Sequence, residues 1–240
     1  MVTPLHCYNY DAQLKATLNH LVSYPQLRPF IGTGWPQQTN RVLLVAESHY
    51  LPEDSNGKSN SKTWYDGDET SLTQQEKGWI NTRGVISAAD HYTLDKGNFA
   101  KGHTIFYQLK AAIFDACQTK NKSQTLFQHF AYYNYFQRPA EIVGESIQVS
   151  GIDNRVAYNT IKAITEIAEP TAIIFVSKKA YITFSYWRKQ QADPVFATLP
   201  VHHVPHPASP WWNRTSNVYN HLTGRARFIK IIKDMNYQLN

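Results

Sequence analysis

Two short apolar runs most constrain what this chain can fold into: Val42 to Val45 in "RVLLVAESHY" and Ala172 to Val176 in "TAIIFVS". Neither alternates with polar residues, so neither reads as a strand with one wet face. Continuous runs of this length, bounded by polar turns, are the pattern of strands covered on both sides, as in a parallel sheet. Helical spacing falls between them. Residues 10–21 and 104–118 place apolar residues on one side, residues 154–168 are strongly periodic, and residues 178–191 and 215–235 read as further helices. The aromatic run "FQHFAYYNYFQRPAE", stopped by Pro139, and a short segment in "LPVHHVPHP" supply two more strands. Alternation of buried strands with helices implies an α/β fold, a three-layer α/β/α sandwich with a short, mostly parallel central sheet. With 240 residues, 42% of them hydrophobic, one domain over 1–240 is expected. Residues 52–98 form an insertion in it, and the polar composition of 52–77 reads as a long surface loop or lid.

Composition narrows the function. No apolar run reaches the roughly 18 residues of a membrane span, and "MVTPLHCYNYD" lacks the layout of a signal peptide. Cys7 and Cys117 are the two cysteines, too few for a disulfide framework or a four-thiolate cluster, and they fit a reducing cytoplasm. No cofactor is implied. The net charge of +6 favours polyanions, and six Trp, fifteen Tyr and eleven Phe provide ring faces on which bases stack or which simply fill a core.

In sheets of this kind ligands bind beyond the carboxyl ends of the strands. Three polar segments follow strands there: "LLVAESHY", "YYNYFQRP" and "VPHPASPWWNR". In order and spacing, across residues 43–231, they resemble the motifs of the uracil-DNA glycosylase superfamily. Ala46-Glu47-Ser48-His49-Tyr50 is similar to the first motif, which follows a buried strand, with Ser48 standing where the water-activating Asp or Asn would be. Asn134 and Arg138-Pro139 resemble the base-reading segment of the iron–sulfur branch, without its cysteines. His206-Pro207-Ala208-Ser209-Pro210 resembles the closing His-Pro-Ser loop, and Ser177 replaces the Gly of a strand-then-turn motif.

That resemblance implies hydrolysis of an N-glycosidic bond in DNA carrying a deaminated or damaged base, by a metal-free monomer. Asn134 would read the base edge with its donor and acceptor, and His206 would donate to the departing base. Glu47, Ser48 and His49 are the candidates for activating or orienting water; they are also a plausible strand-end cluster capping the next turn. Tyr50, Phe99 and Phe106 are stacking candidates that equally suit a core. Trp211 and Trp212 fit a wedge or platform on DNA, beside Ser209, with Arg214, Arg225, Arg227, Lys230 and the Lys178-Lys179 pair as phosphate contacts. His202, His203 and His206 invite a metal reading, but neighbours in a strand point to opposite faces. Two alternatives stay open. One is a binding module of the same fold that holds a nucleobase or nucleic acid without cutting it; the other is an α/β hydrolase of small molecules using Glu47 and His206, for which no G-x-S-x-G elbow is present.

Overall fold

The computed structural model describes residues 5–55, 59–94, 99–120 and 125–239. Its framework is a five-stranded sheet of β1 (Phe30–Ile31), β2 (Val42–Ala46), β3 (Ala131–Asn134), β4 (Ala172–Phe175) and β5 (Val201–His203), in the order β1-β3-β2-β4-β5. β2 pairs in parallel with β3 and β4, β4 pairs in parallel with β5, and the two-residue β1 runs antiparallel on the outer side of β3.

Both faces of the sheet are covered, as the unbroken apolar runs require. All five residues of β2 are buried. Leu43 and Val45 pack on one side with α1 (Asp11–Thr17), α2 (His20–Ser23), α3 (Ser61–Asp66), α7 (Gly151–Ala168) and α8 (Lys178–Gln191). Val42, Leu44 and Ala46 face α5 (Thr82–Asp90), α6 (Thr104–Cys117) and α9 (Gly224–Asp234) on the other. The period-2 direction of strand side chains separates the two apolar clusters. Among the described residues no helix is long and apolar enough to cross a membrane.

Several expected elements differ. The helix expected over 10–21 breaks into α1 and α2, because Leu18 is extended (φ −124°, ψ 92°). α7 begins three residues before the expected Asn154, behind a capping box in which Ser150 Oγ accepts from the Asp153 amide and Asp153 from the Ser150 amide. The final helix is shorter than 215–235: residues 215–223 form a small hairpin, β6 (Thr215–Ser216) with β7 (Leu222–Thr223), turned through Asn220 and His221 at positive φ. α9 then starts at Gly224, where a Cβ would collide with the Pro205 ring. That close approach seats the start of α9 against the loop carrying His206.

The stretch 52–77 is not a polar lid. It contains α3 and α4 (Gln74–Trp79), capped by Asn60 and by a Thr73–Glu76 capping box. Trp64 is buried, stacks on Tyr24 with centroids 4.2 Å apart, and donates its Nε1–H to the Gln137 carbonyl at 2.9 Å. Each helix has six residues, too few turns to display periodicity; Trp64 is the one buried residue of α3 and Glu76 that of α4. The insertion is therefore part of the packed body, although residues 56–58 and 95–98 lie outside the described residues.

A candidate active site at the switch point of the sheet

β2 connects onward to β3 on one side, and its other neighbour, β4, connects onward to β5 on the opposite side, so the chain reverses direction between β2 and β4. This is the topological switch point at which open α/β sheets form a crevice beyond their carboxyl ends. Parallel register fixes what arrives there. Ala46 pairs with Asn134 and Val45 with Phe175, so Glu47, the residues after Asn134, and Ser177 emerge at the same height. Backbone bonds continue the ladder: the amide of Phe136 donates to the Glu47 carbonyl at 2.8 Å and that of Ala140 to the His49 carbonyl at 2.9 Å.

Glu47 joins two of the segments at this edge. Its Oε2 accepts from Ser177 Oγ at 2.8 Å and its Oε1 from Ser146 Oγ. His206, at the end of the segment after β5, is partly buried; burial lowers its pKa, and the nearby Glu47 carboxylate offsets this in part. The Ala208 amide donates to His206 Nδ1 at 3.2 Å, which leaves the proton of the neutral ring on Nε2. His206 is thus a neutral donor beside a carboxylate.

His49 and Asn134 meet beside it, at the ends of β2 and β3. Asn134 Nδ2 lies 3.2 Å from both ring nitrogens of His49. His49 is buried, and burial drives its pKa down to about 3, so it is neutral and too weakly basic to abstract a proton near pH 7. This corrects its expected role as a base: it is a packing and orienting partner of Asn134. Tyr50 donates its hydroxyl to the Glu145 carbonyl at 3.0 Å, and burial, then the Glu47 carboxylate, raises its pKa. Ser48 Oγ and Ser209 Oγ are shielded from solvent and bond to no protein group, so each has both donor and acceptor capacity free.

Other expected site residues are elsewhere. Phe106 is 7% exposed and packs against Phe127 and Tyr132 in the core under α6; it offers no open face to a base. Phe99 stacks on Tyr107 with centroids 4.2 Å apart. The tryptophan pair divides: Trp211 is 55% exposed, whereas Trp212 is fully buried against Phe228 of α9 and cannot be a wedge. Arg214 and Lys178 are exposed, but Arg225 pairs with Asp115, Lys230 with Asp234, and Arg227 donates to the His203 carbonyl while lying over Tyr219. Arg225 ties α9 to α6 and Arg227 ties it to β5, whereas the exposed Lys230–Asp234 pair lies within α9. Lys179 turns inward to the Ile147 carbonyl and Ser146. His203 stacks on Tyr181, and among the described residues no group of three potential ligands is placed to hold a metal.

Sequence reasoning missed Ser146, read Lys179 as a phosphate contact, and treated Ser177 only as a replaced glycine. The signal for Ser177 was its place before "KKA", an N-cap: its Oγ accepts from the Ala180 amide at 3.2 Å. Nothing near Ser146 in "IVGESIQVS" marks it.

Together these features define a mixed α/β protein that brings a carboxylate, a neutral imidazole and a carboxamide to the carboxyl edge of a mostly parallel sheet. No protein-family model matches the chain, nor does any curated protein.

Proposed function

We propose that the protein hydrolyses the N-glycosidic bond of a deaminated or damaged base in DNA, as a uracil-DNA glycosylase-like enzyme. The observation that carries this reading is that Glu47, Asn134 and His206, from three separate segments, come to the same carboxyl edge of the sheet. Each has the chemistry one step needs. Asn134 offers a donor and an acceptor to the edge of a flipped base. As the bond from C1′ to the base breaks, its electron pair goes to the base, and His206 Nε2–H donates to the oxygen where negative charge accumulates. Glu47 takes up the proton of the water whose oxygen bonds to C1′ and passes it to solvent, from which the departing base anion is protonated; Ser48 has no basicity and its Oγ is shielded from solvent. The products are the free base and an abasic sugar.

Exposed Trp211 and Arg214, in the segment after β5, and Lys178, at the start of α8, supply a ring and two cations for a polyanionic strand. The protein acts as a monomer in the cytoplasm without a cofactor in this reading.

One observation favours a second reading, a nucleobase-binding module that does not cut. Ser48 stands at the position where the resembling motif carries an acid or amide, and both Glu47 oxygens are already engaged by serines. Labelled single- and double-stranded DNA containing one uracil or hypoxanthine, followed by alkali, separates the two. Strand breaks that disappear in His206→Ala and Asn134→Ala support the enzyme; bound but unbroken DNA supports the module.

A further inference from the structure

Glu47 is held more elaborately than a surface carboxylate requires. Ser177 is the N-cap of α8: its Oγ accepts from the Ala180 amide, which leaves its single proton for Glu47 Oε2. Ser146 repeats the arrangement from the other side. Its Oγ accepts from Lys179 Nζ at 3.4 Å and donates its proton to Glu47 Oε1. A hydroxyl has one hydrogen, so filling its acceptor side with an N–H or ammonium group directs that hydrogen at the carboxylate. Lys179 is itself fixed on the Ile147 carbonyl, and Tyr50 holds the Glu145 carbonyl at 3.0 Å.

These contacts fasten residues 141–149 at the carboxyl edge of the sheet. The segment turns at Gly144, whose φ is +81°, and is pinned by Ile147, which is fully buried, while Ser146 is exposed. A carboxylate has about four acceptor sites. The two serines take one on each oxygen, from opposite sides, and leave the rest for a water.

We propose that Ser146 and Lys179 are positioning residues: they latch the 141–149 segment onto Glu47 and fix the direction in which that carboxylate meets the attacking water. This rests on the glycosidic reading for its chemistry, though not for the latch itself. Neither residue touches the reacting atoms. A mispositioned acceptor costs turnover rather than substrate affinity, so Ser146→Ala and Lys179→Met are expected to lower kcat on uracil- or hypoxanthine-containing DNA by about 10- to 100-fold with little change in KM. Ser146→Thr and Lys179→Arg keep a donor in place and are expected to recover most of that loss.

The test pairs this kinetic split with amide hydrogen exchange of residues 141–149 in the DNA-free protein, using Lys189→Met, at the far end of α8, as the control. The latch predicts faster exchange of the segment in Ser146→Ala and in Lys179→Met but not in the control. Faster exchange together with a kcat-only loss supports the whole inference. Unchanged exchange overturns the latch, and an active parent whose kcat is indifferent to both variants overturns the positioning role. If the parent releases no base, the glycosidic reading falls, and the exchange result alone upholds or overturns the latch.

Discussion

Replacing Asp153 by alanine should destabilise the protein more than any exposed charge change. Asp153 is fully buried at the third position of α7. Its carboxylate accepts from Arg138 Nε at 2.7 Å and Nη2 at 3.0 Å, from the Tyr65 hydroxyl at 3.0 Å, and from both the amide and hydroxyl of Ser150 at 2.8 Å. Arg138, 1% exposed, also donates to the carbonyls of Ser59, Pro139 and Gln148. The pair thus ties the chain leaving Asn134 to α7 and to the insertion around α3. Removing one partner of a buried pair costs about 3–5 kcal/mol, because the other charge stays buried. Glu141, 2.7 Å from Arg138, is too exposed to compensate fully. Loss of the capping box adds about 1 kcal/mol. At roughly 2–4 °C per kcal/mol for a chain of this size, Tm should fall by about 8–24 °C. Urea unfolding of Asp153→Ala is the assay, beside Asp193→Ala, which breaks a partly exposed pair with Lys162 and should cost about 1 kcal/mol or less. A loss below about 1 kcal/mol for Asp153→Ala, equal to the control, would refute the reasoning about buried charge.

Acid sensitivity follows from His49. Its folded pKa of about 3 lies below the ordinary 6.5, so the unfolded chain takes up a proton that the native state does not. The stability this group contributes is complete above pH 6.5 and is lost as pH falls toward 3, by about 1.4 kcal/mol per unit. Urea midpoints at pH 7 and pH 5 should therefore show a flatter dependence in His49→Gln; an unchanged slope would contradict the assignment. Trp212→Ala, which empties a buried site against Phe228, should cost about 3–5 kcal/mol, whereas Trp211→Ala should leave the urea midpoint nearly unchanged and weaken binding of single-stranded DNA. Equal stability losses for the two tryptophans would be incompatible with their opposite burial.

The sheet was legible because β2 and β4 are unbroken apolar runs, a pattern that only two covered faces explain, and the position of Glu47 followed from the end of β2. The insertion was not legible, since α3 and α4 are six-residue helices in a polar stretch, α3 burying Trp64 and α4 burying Glu76. Their caps, however, are written plainly in Asn60 and in Thr73 with Glu76. The tryptophan pair shows a different limit. Adjacent residues in a short 3-10 turn point apart, so composition announces aromatic surface while packing against α9 decides which ring is inside. The serine clamp on Glu47 was invisible for a stronger reason: Ser146 and Ser177 meet it across separations of 99 and 130 residues, and no local pattern encodes such a contact.

The most direct test of the account is mass-spectrometric detection of free base released from DNA containing a single uracil or hypoxanthine, with the parent protein and His206→Ala compared under single-turnover conditions. The account expects free base and an abasic site from the parent, and a rate about 100- to 1,000-fold lower when the Nε2–H donor is removed. No free base from the parent on any such DNA, or release at the same rate without His206, would contradict it.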